Sequence, residues 1–255
     1  MTRVIAPAKL TVSLSVTGIR SDGYHELRAE MVALSLADEL TITEGDTGLT
    51  VTAEPGTRAD ALVDDPDNLI VRALAAVARK AAVHVTKRIP LGGGLGGGSS
   101  DAAAILRWAG CTDARTALAL GSDVPFSLVG GRAVVEGIGE TVTPQAFVPR
   151  GFLLLLPPFG VETARVYRAW DEDPRREGTN ELTAAALAVE PRLGPWRDAL
   201  GEWAGMEPVL AGSGSTWFVE GAALAGRSVP GELRNGAETA RLVCARTVPA
   251  GWEGD

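Results

Sequence analysis

Residues 92–98 read Gly-Gly-Gly-Leu-Gly-Gly-Gly and run into Ser99-Ser100-Asp101. Glycine is penalised inside helices and strands, so a cluster this dense needs a loop with left-handed backbone or a second group pressed against the chain. The run sits between a short strand-like segment, Val83–Thr86, and an alanine-rich segment that reads as a helix up to Trp108. A helix start presents N–H groups without partners and a partial positive charge. Backbone free of side chains in front of such a start can cradle a phosphate. Pro90, Leu91, Gly92, Gly93, Gly94, Leu95, Gly96, Gly97, Gly98, Ser99 and Ser100 are therefore candidates to hold a polyphosphate. A Walker loop is excluded, since the chain has no Gly-Lys dipeptide. Gly92-x-Gly94-x-x-Gly97 matches the dinucleotide fingerprint only formally, because no acidic strand end follows about 20 residues on.

Only Lys9, Lys80 and Lys87 are lysines, against 21 arginines. Where arginine is the default cation, each lysine invites a reason. Lys9 lies in Ala8–Thr17, where Leu10, Val12, Leu14 and Val16 alternate with Lys9, Thr11, Ser13, Ser15 and Thr17. Period two is a strand with one buried face, and it puts Lys9 and Thr11 together on the other. Asp123 stands in Gly121-Ser122-Asp123-Val124-Pro125, where it can be a helix cap or a catalytic carboxylate. Tyr24 and His25 follow an Asp-Gly turn and offer a ring face and an imidazole edge to a ligand. Gly212, Ser213 and Gly214 form a second small-residue loop that can close over the first, or simply turn a hairpin. His84 reads as structural.

The elements that must hold these residues follow from patterning. Leu40–Thr43 and Leu49–Ala53 read as short strands. Asp67 or Asn68 caps a helix running to about Ala82. Ser99 or Ser100 caps the helix after the glycine run, with Asp101 in its first turn. Phe152–Leu156 reads as a buried strand. Helices are expected over Val161–Trp170, Glu181–Glu190, Pro195–Ala204 and near Glu232, with strands at Val209-Leu210, Thr216–Glu220 and Arg241–Val248. Trp170 is expected near the junction of the two halves. The pattern is α+β in two lobes, residues 1–148 and 149–255.

With 255 residues, 45% hydrophobic and 22% charged, the chain has the make-up of an ordinary globular protein. The net charge of −8 argues against a nucleic-acid surface, but not against a nucleotide held by backbone amides. No apolar run approaches the roughly 20 residues of a membrane span, and no signal core opens the chain. A cytoplasmic location without membrane partners is expected. Cys111 and Cys244 make no metal or redox spacing and are expected to be buried small hydrophobes.

Pro90–Ala103 closely resembles the ATP loop of the GHMP kinases, the group that includes galactokinase, homoserine kinase and mevalonate kinase. Pro7-Ala8-Lys9-Leu10 with Asp22-Gly23-Tyr24-His25, Asp67–Ala73, Gly121–Phe126 and Ala211–Ser215 resemble further blocks of one branch, in family order. The resemblance implies an N-terminal mixed-sheet nucleotide-binding domain and a C-terminal ferredoxin-like α/β sandwich. It implies ATP and Mg²⁺ as cofactors, with Ser100 a possible contact to the metal. It implies Lys9 and Asp123 as the catalytic pair. The acceptor it implies is a small alcohol with a cytidine diphosphate head, bound by Thr11, Tyr24, His25, Gly212, Ser213 and Gly214, in an enzyme that is a monomer or homodimer. Thr11 stands where the family usually has Asn, and Ala109–Gly121 is shorter than usual. The alternatives are a kinase of the same type for another alcohol, a non-catalytic nucleotide-binding relative, and a dinucleotide enzyme.

Overall fold

The computed structural model describes residues 1–58, 67–221 and 228–254. The chain opens with two long antiparallel strands, β1 (Thr2–Ile19) and β2 (His25–Glu44). β2 carries the first sheet. One edge pairs with β1; the other pairs with β4 (Ala81–Lys87) through Glu39–Glu44 and with β5 (Arg132–Gly137) through Leu27–Val32. β3 (Gly48–Ala53) runs parallel to β4, and β6 (Thr141–Pro144) pairs with β5. The sheet is thus mixed. Sequence patterning finds only Leu40–Thr43 of the 20-residue β2, although Glu26, Arg28 and Glu30 alternate with Leu27, Ala29 and Met31 as in a half-buried strand.

Helix α1 (Leu69–Ala76) starts where Asn68 accepts the Ile70 N–H at 2.9 Å. It ends well before Ala82. Ala78 turns left-handed at φ 52°, and the Arg79 N–H donates to Leu74 O at 3.0 Å, which closes the C-terminus. Helix α2 (Gly97–Trp108) is capped by Gly96 in left-handed geometry, so neither Ser99 nor Ser100 is its cap. Helices α3 (Ala114–Leu120) and α4 (Val124–Val129) follow.

β7 (Gly151–Leu156) begins a second, antiparallel sheet, ordered β10-β11-β7-β9-β8, with β8 (Val209–Leu210), β9 (Trp217–Glu220), β10 (Glu232–Asn235) and β11 (Glu238–Arg246). β10 replaces the helix expected near Glu232: Gly236 at φ 59° turns the chain back so that Glu232–Asn235 pairs with Glu238–Arg241. Helices α5 (Thr163–Glu172), α6 (Thr183–Val189) and α7 (Leu193–Ala204) cover one face. The apolar run of β7 is explained by burial on both sides. Leu153 and Leu155 pack with Val166, Trp170, Leu182 and Trp196, while Phe152, Leu154 and Leu156 pack with Ala8, Leu10, Val12, Val32 and Leu34 of β1 and β2. The two sheets therefore share a core behind the middle of β1. Cys111 is only half-buried and Cys244 is exposed, although Cys244 shares the β11 face of the buried Ala240 and Leu242. Among the described residues no helix is long and apolar enough to cross a membrane.

Candidate active site

A cleft of about 820 Å³ opens where the glycine loop, β1, the β1–β2 turn, α5 and the 211–214 loop meet. At Lys9 and Thr11 the face of β1 opposite Leu10 and Val12 points into it, as the alternation requires. That face is not solvated: Lys9 is 6% and Thr11 2% exposed. The register break between Thr11 and Ser13 then takes Leu14 and Val16 off the Leu10 face, and Leu14 also lines the cleft. A register break between Pro7 and Lys9 leaves the Lys9 N–H facing the glycine loop, where it donates to Leu95 O at 3.0 Å. The loop is thereby stitched along the open edge of β1.

Lys9 Nζ lies 3.2 Å from Asp123 Oδ2 and donates to Thr11 Oγ1 at 3.2 Å. Asp123 occupies the N-cap position of α4, but its side chain makes no capping bond. Pro125 in the first turn has no N–H to be capped, which leaves the carboxylate free to turn to Lys9. Gly96 must be glycine here. Its φ is +66°, and a Cβ would stand 2.7 Å from Lys9 Cγ and 3.6 Å from Asp123 Oδ2. Gly94 meets the second loop just as closely, since a Cβ there would stand 2.3 Å from Ala211 O. The Thr216 N–H donates to Gly93 O at 3.1 Å, so the two small-residue loops lie one on the other. Gly212 passes within 3.6 Å of Lys9 Nζ, measured from its own would-be Cβ.

The cleft is lined by Pro90, Leu91, Gly92, Gly93, Gly94, Gly96, Gly97, Gly98 and Ser99 on one side, and by Lys9, Thr11, Tyr24, His25, Asp123, Gly212 and Ser213 on the other. Leu95, Ser100 and Gly214 are not in its wall. Leu95 is fully buried in the shared core. Ser100 is fully buried, and its hydroxyl donates to Pro7 O at 2.5 Å. Successive helical residues point about 100° apart, so Ser99 faces the cleft and Ser100 faces β1. Gly214 faces Leu210 and Val161.

Tyr24 is exposed at the mouth. The His25 side chain is 9% exposed: Nε2 bonds Asp171 Oδ1 at 2.7 Å, the ring stacks on Tyr167 at 4.7 Å, and its edge meets Trp170 at 5.7 Å. Burial, and then the nearby negative charge of Asp123, push the Tyr167 hydroxyl upward, so it stays protonated. Sequence reasoning missed Thr163, Tyr167, Arg168 and Asp171 as lining residues, because they occupy the outer face of a helix that patterning reads only as packing. It also missed Asn180. This buried amide donates to Leu210 O at 2.8 Å and Gly212 O at 2.7 Å, and accepts the Leu182 N–H, so it shapes the second loop. No local motif marks it. No group of three or more His, Cys, Asp or Glu able to hold a metal exists among the described residues.

Residues 68–131 match the GHMP kinases N terminal domain. That match, the two-lobe fold and the cleft together define a small-molecule kinase of the GHMP class. A relative from Paracoccus denitrificans (strain Pd 1222), a 4-diphosphocytidyl-2-C-methyl-D-erythritol kinase, is 36% identical over 85% of this chain and 85% of its own length. One of the same name from Salinispora tropica is 39% identical over 84% and 81%. A crystal structure of 4-(cytidine 5'-diphospho)-2C-methyl-D-erythritol kinase superposes with a TM-score of 0.66 at 32% identity, covering 85% of this chain and 89% of that one. A crystal structure of L. major mevalonate kinase shares the fold alone, with a TM-score of 0.62 at 13% identity, covering 98% of this chain and 96% of that one. Within the GHMP kinases, the chain belongs to the family of 4-diphosphocytidyl-2-C-methyl-D-erythritol kinases.

Proposed function

We propose that the chain transfers the terminal phosphate of ATP to the 2-hydroxyl of 4-diphosphocytidyl-2-C-methyl-D-erythritol, a step of the non-mevalonate isoprenoid route, in the cytosol. The observation that carries the reading is the Lys9–Asp123 pair, 3.2 Å apart, against the left-handed turn at Gly96. Phosphoryl transfer asks the protein mainly for positioning and charge neutralisation. The glycine loop and the start of α2 supply partnerless N–H groups for the triphosphate. Asp123 accepts the proton of the attacking hydroxyl as the new P–O bond forms and ADP departs with the electrons of the old one. Lys9 holds that carboxylate in place and neutralises the transferring group. Tyr24, His25 and Tyr167 offer ring faces and an imidazole edge to a pyrimidine, with Thr11, Gly212 and Ser213 beside the acceptor alcohol. Mg²⁺ carried by ATP would be held mainly by phosphate oxygens and water, with Ser99 rather than the buried Ser100 as the hydroxyl facing it, and would neutralise phosphate charge. Residues 1–148 serve as the nucleotide lobe, and residues 149–255 close the cleft over the acceptor.

The test is an acceptor panel with ATP and Mg²⁺. We expect phosphorylation of the cytidine diphosphate alcohol and none of homoserine or mevalonate. Equal or better turnover of either competitor would overturn the acceptor assignment, and no turnover with any would overturn the catalytic one.

A further inference from the structure

Lys87, 1% exposed and outside the cleft wall, is held by two carboxylates. It pairs with Asp38 of β2 and, at 2.6 Å, with Asp101 of α2. The other Asp38 oxygen accepts the N–H groups of Arg88 at 2.5 Å and Ile89 at 2.9 Å. Those two residues lead directly into the glycine loop, and Asp101 lies on the first turns of the helix that leaves it. Lys87 Nζ also stands 3.3 Å from where a Cβ on Gly97 would be. One sealed cluster thus ties down both ends of the loop, and no member reaches the ligand space.

Buried ion pairs are poor sources of net stability, because apolar residues of similar volume often serve as well. What an apolar replacement lacks is direction: a carboxylate that binds two successive N–H groups fixes where a strand ends. We propose that Asp38, Lys87 and Asp101 are positioning residues that set the geometry of the phosphate loop, and with it the affinity for ATP, without contact with the nucleotide. The proposal rests on reading residues 90–99 as the ATP cradle.

The experiment is steady-state kinetics with both substrates on Asp101→Ala, Asp101→Asn and the apolar pair Lys87→Met with Asp101→Leu, alongside thermal melting. Asp101→Ala keeps the Asp38–Lys87 pair. It is expected to raise the KM for ATP about tenfold, since misplacement by about 1 Å can cost up to 10²-fold. The KM for the acceptor and kcat should stay within about twofold. Asp101→Asn, which still offers Lys87 an oxygen, should return the KM for ATP to within about threefold of the parent. The apolar pair leaves the Asp38 charge buried without its ammonium and should melt below the parent temperature, and it should keep the raised KM for ATP. An unchanged KM for ATP in Asp101→Ala, or equal rises in both KM values, overturns the proposal. If the apolar pair does not fold, Asp101→Ala against Asp101→Asn decides. Failure of the parent to saturate with ATP at all would instead overturn the cradle reading on which this one stands.

Discussion

Two lysines, Lys9 and Lys87, are buried in ion pairs, and they differ in what their partners can reach. The Lys87 carboxylates, Asp38 and Asp101, have side chains 0% and 4% exposed. Asp123, the partner of Lys9, is 31% exposed and opens on the cleft. A sealed ammonium requires full pairing, and Lys87 has two carboxylates to meet it. Burial opposes its charge, but the two partners hold its pKa above the ordinary lysine value. Lys9 makes do with one carboxylate and a hydroxyl, and that carboxylate keeps lone pairs free for a substrate proton. Ion pairing alone therefore does not mark a catalytic site; access to the partner does.

The comparison breaks first at Asp123. Asp123→Asn is expected to lower kcat by roughly 10²–10⁴-fold, the range for a lost general base, with ATP affinity retained in a binding titration. Gly96→Ala comes next. A left-handed φ costs a non-glycine residue about 1–2 kcal/mol, and the new Cβ would press on the Lys9 stem, so kcat/KM should fall about 10–10²-fold while the Lys87 cluster is untouched. Asn180→Ala strands the Leu210 and Gly212 carbonyls and should cost about 1–3 kcal/mol in denaturant unfolding.

A pH dependence sharpens the sealed side. Burial, against the pull of Lys87, raises the Asp101 carboxyl from 3.8 to about 7. Its folded-state pKa is above its unfolded one, so its contribution to stability is full below about pH 4 and is lost as pH rises through 7. Asp101→Asn should flatten the melting temperature across that window; an unaltered pH slope would show that Asp101 does not titrate there.

The open half of the comparison was far more legible in the sequence than the sealed half. Lys9, Asp123 and the glycine run sit in compact blocks whose residue types limit the chemistry, and strand alternation put Lys9 and Thr11 on one face. The cluster of Asp38, Lys87 and Asp101 spans three separate elements and has no local signature beyond the scarcity of lysine. The same reason hid Asn180 and Asp171, whose roles come from tertiary contact. Ser100 shows the limit of a motif: chain position put it beside the phosphate cradle, and helical rotation turned it to Pro7 O. Patterning reads β2 only at Leu40–Thr43, though Glu26, Arg28 and Glu30 alternate with Leu27, Ala29 and Met31 in its N-terminal half, and its pairing on both edges is a tertiary feature.

The central claim is that Lys9 and Asp123 act as one unit, and a double-mutant cycle on kcat tests it most directly. Groups that work together are strongly non-additive. The double variant Lys9→Met with Asp123→Asn should lose no more than about threefold beyond Asp123→Asn alone, whereas losses that multiply across the two single variants would contradict the account.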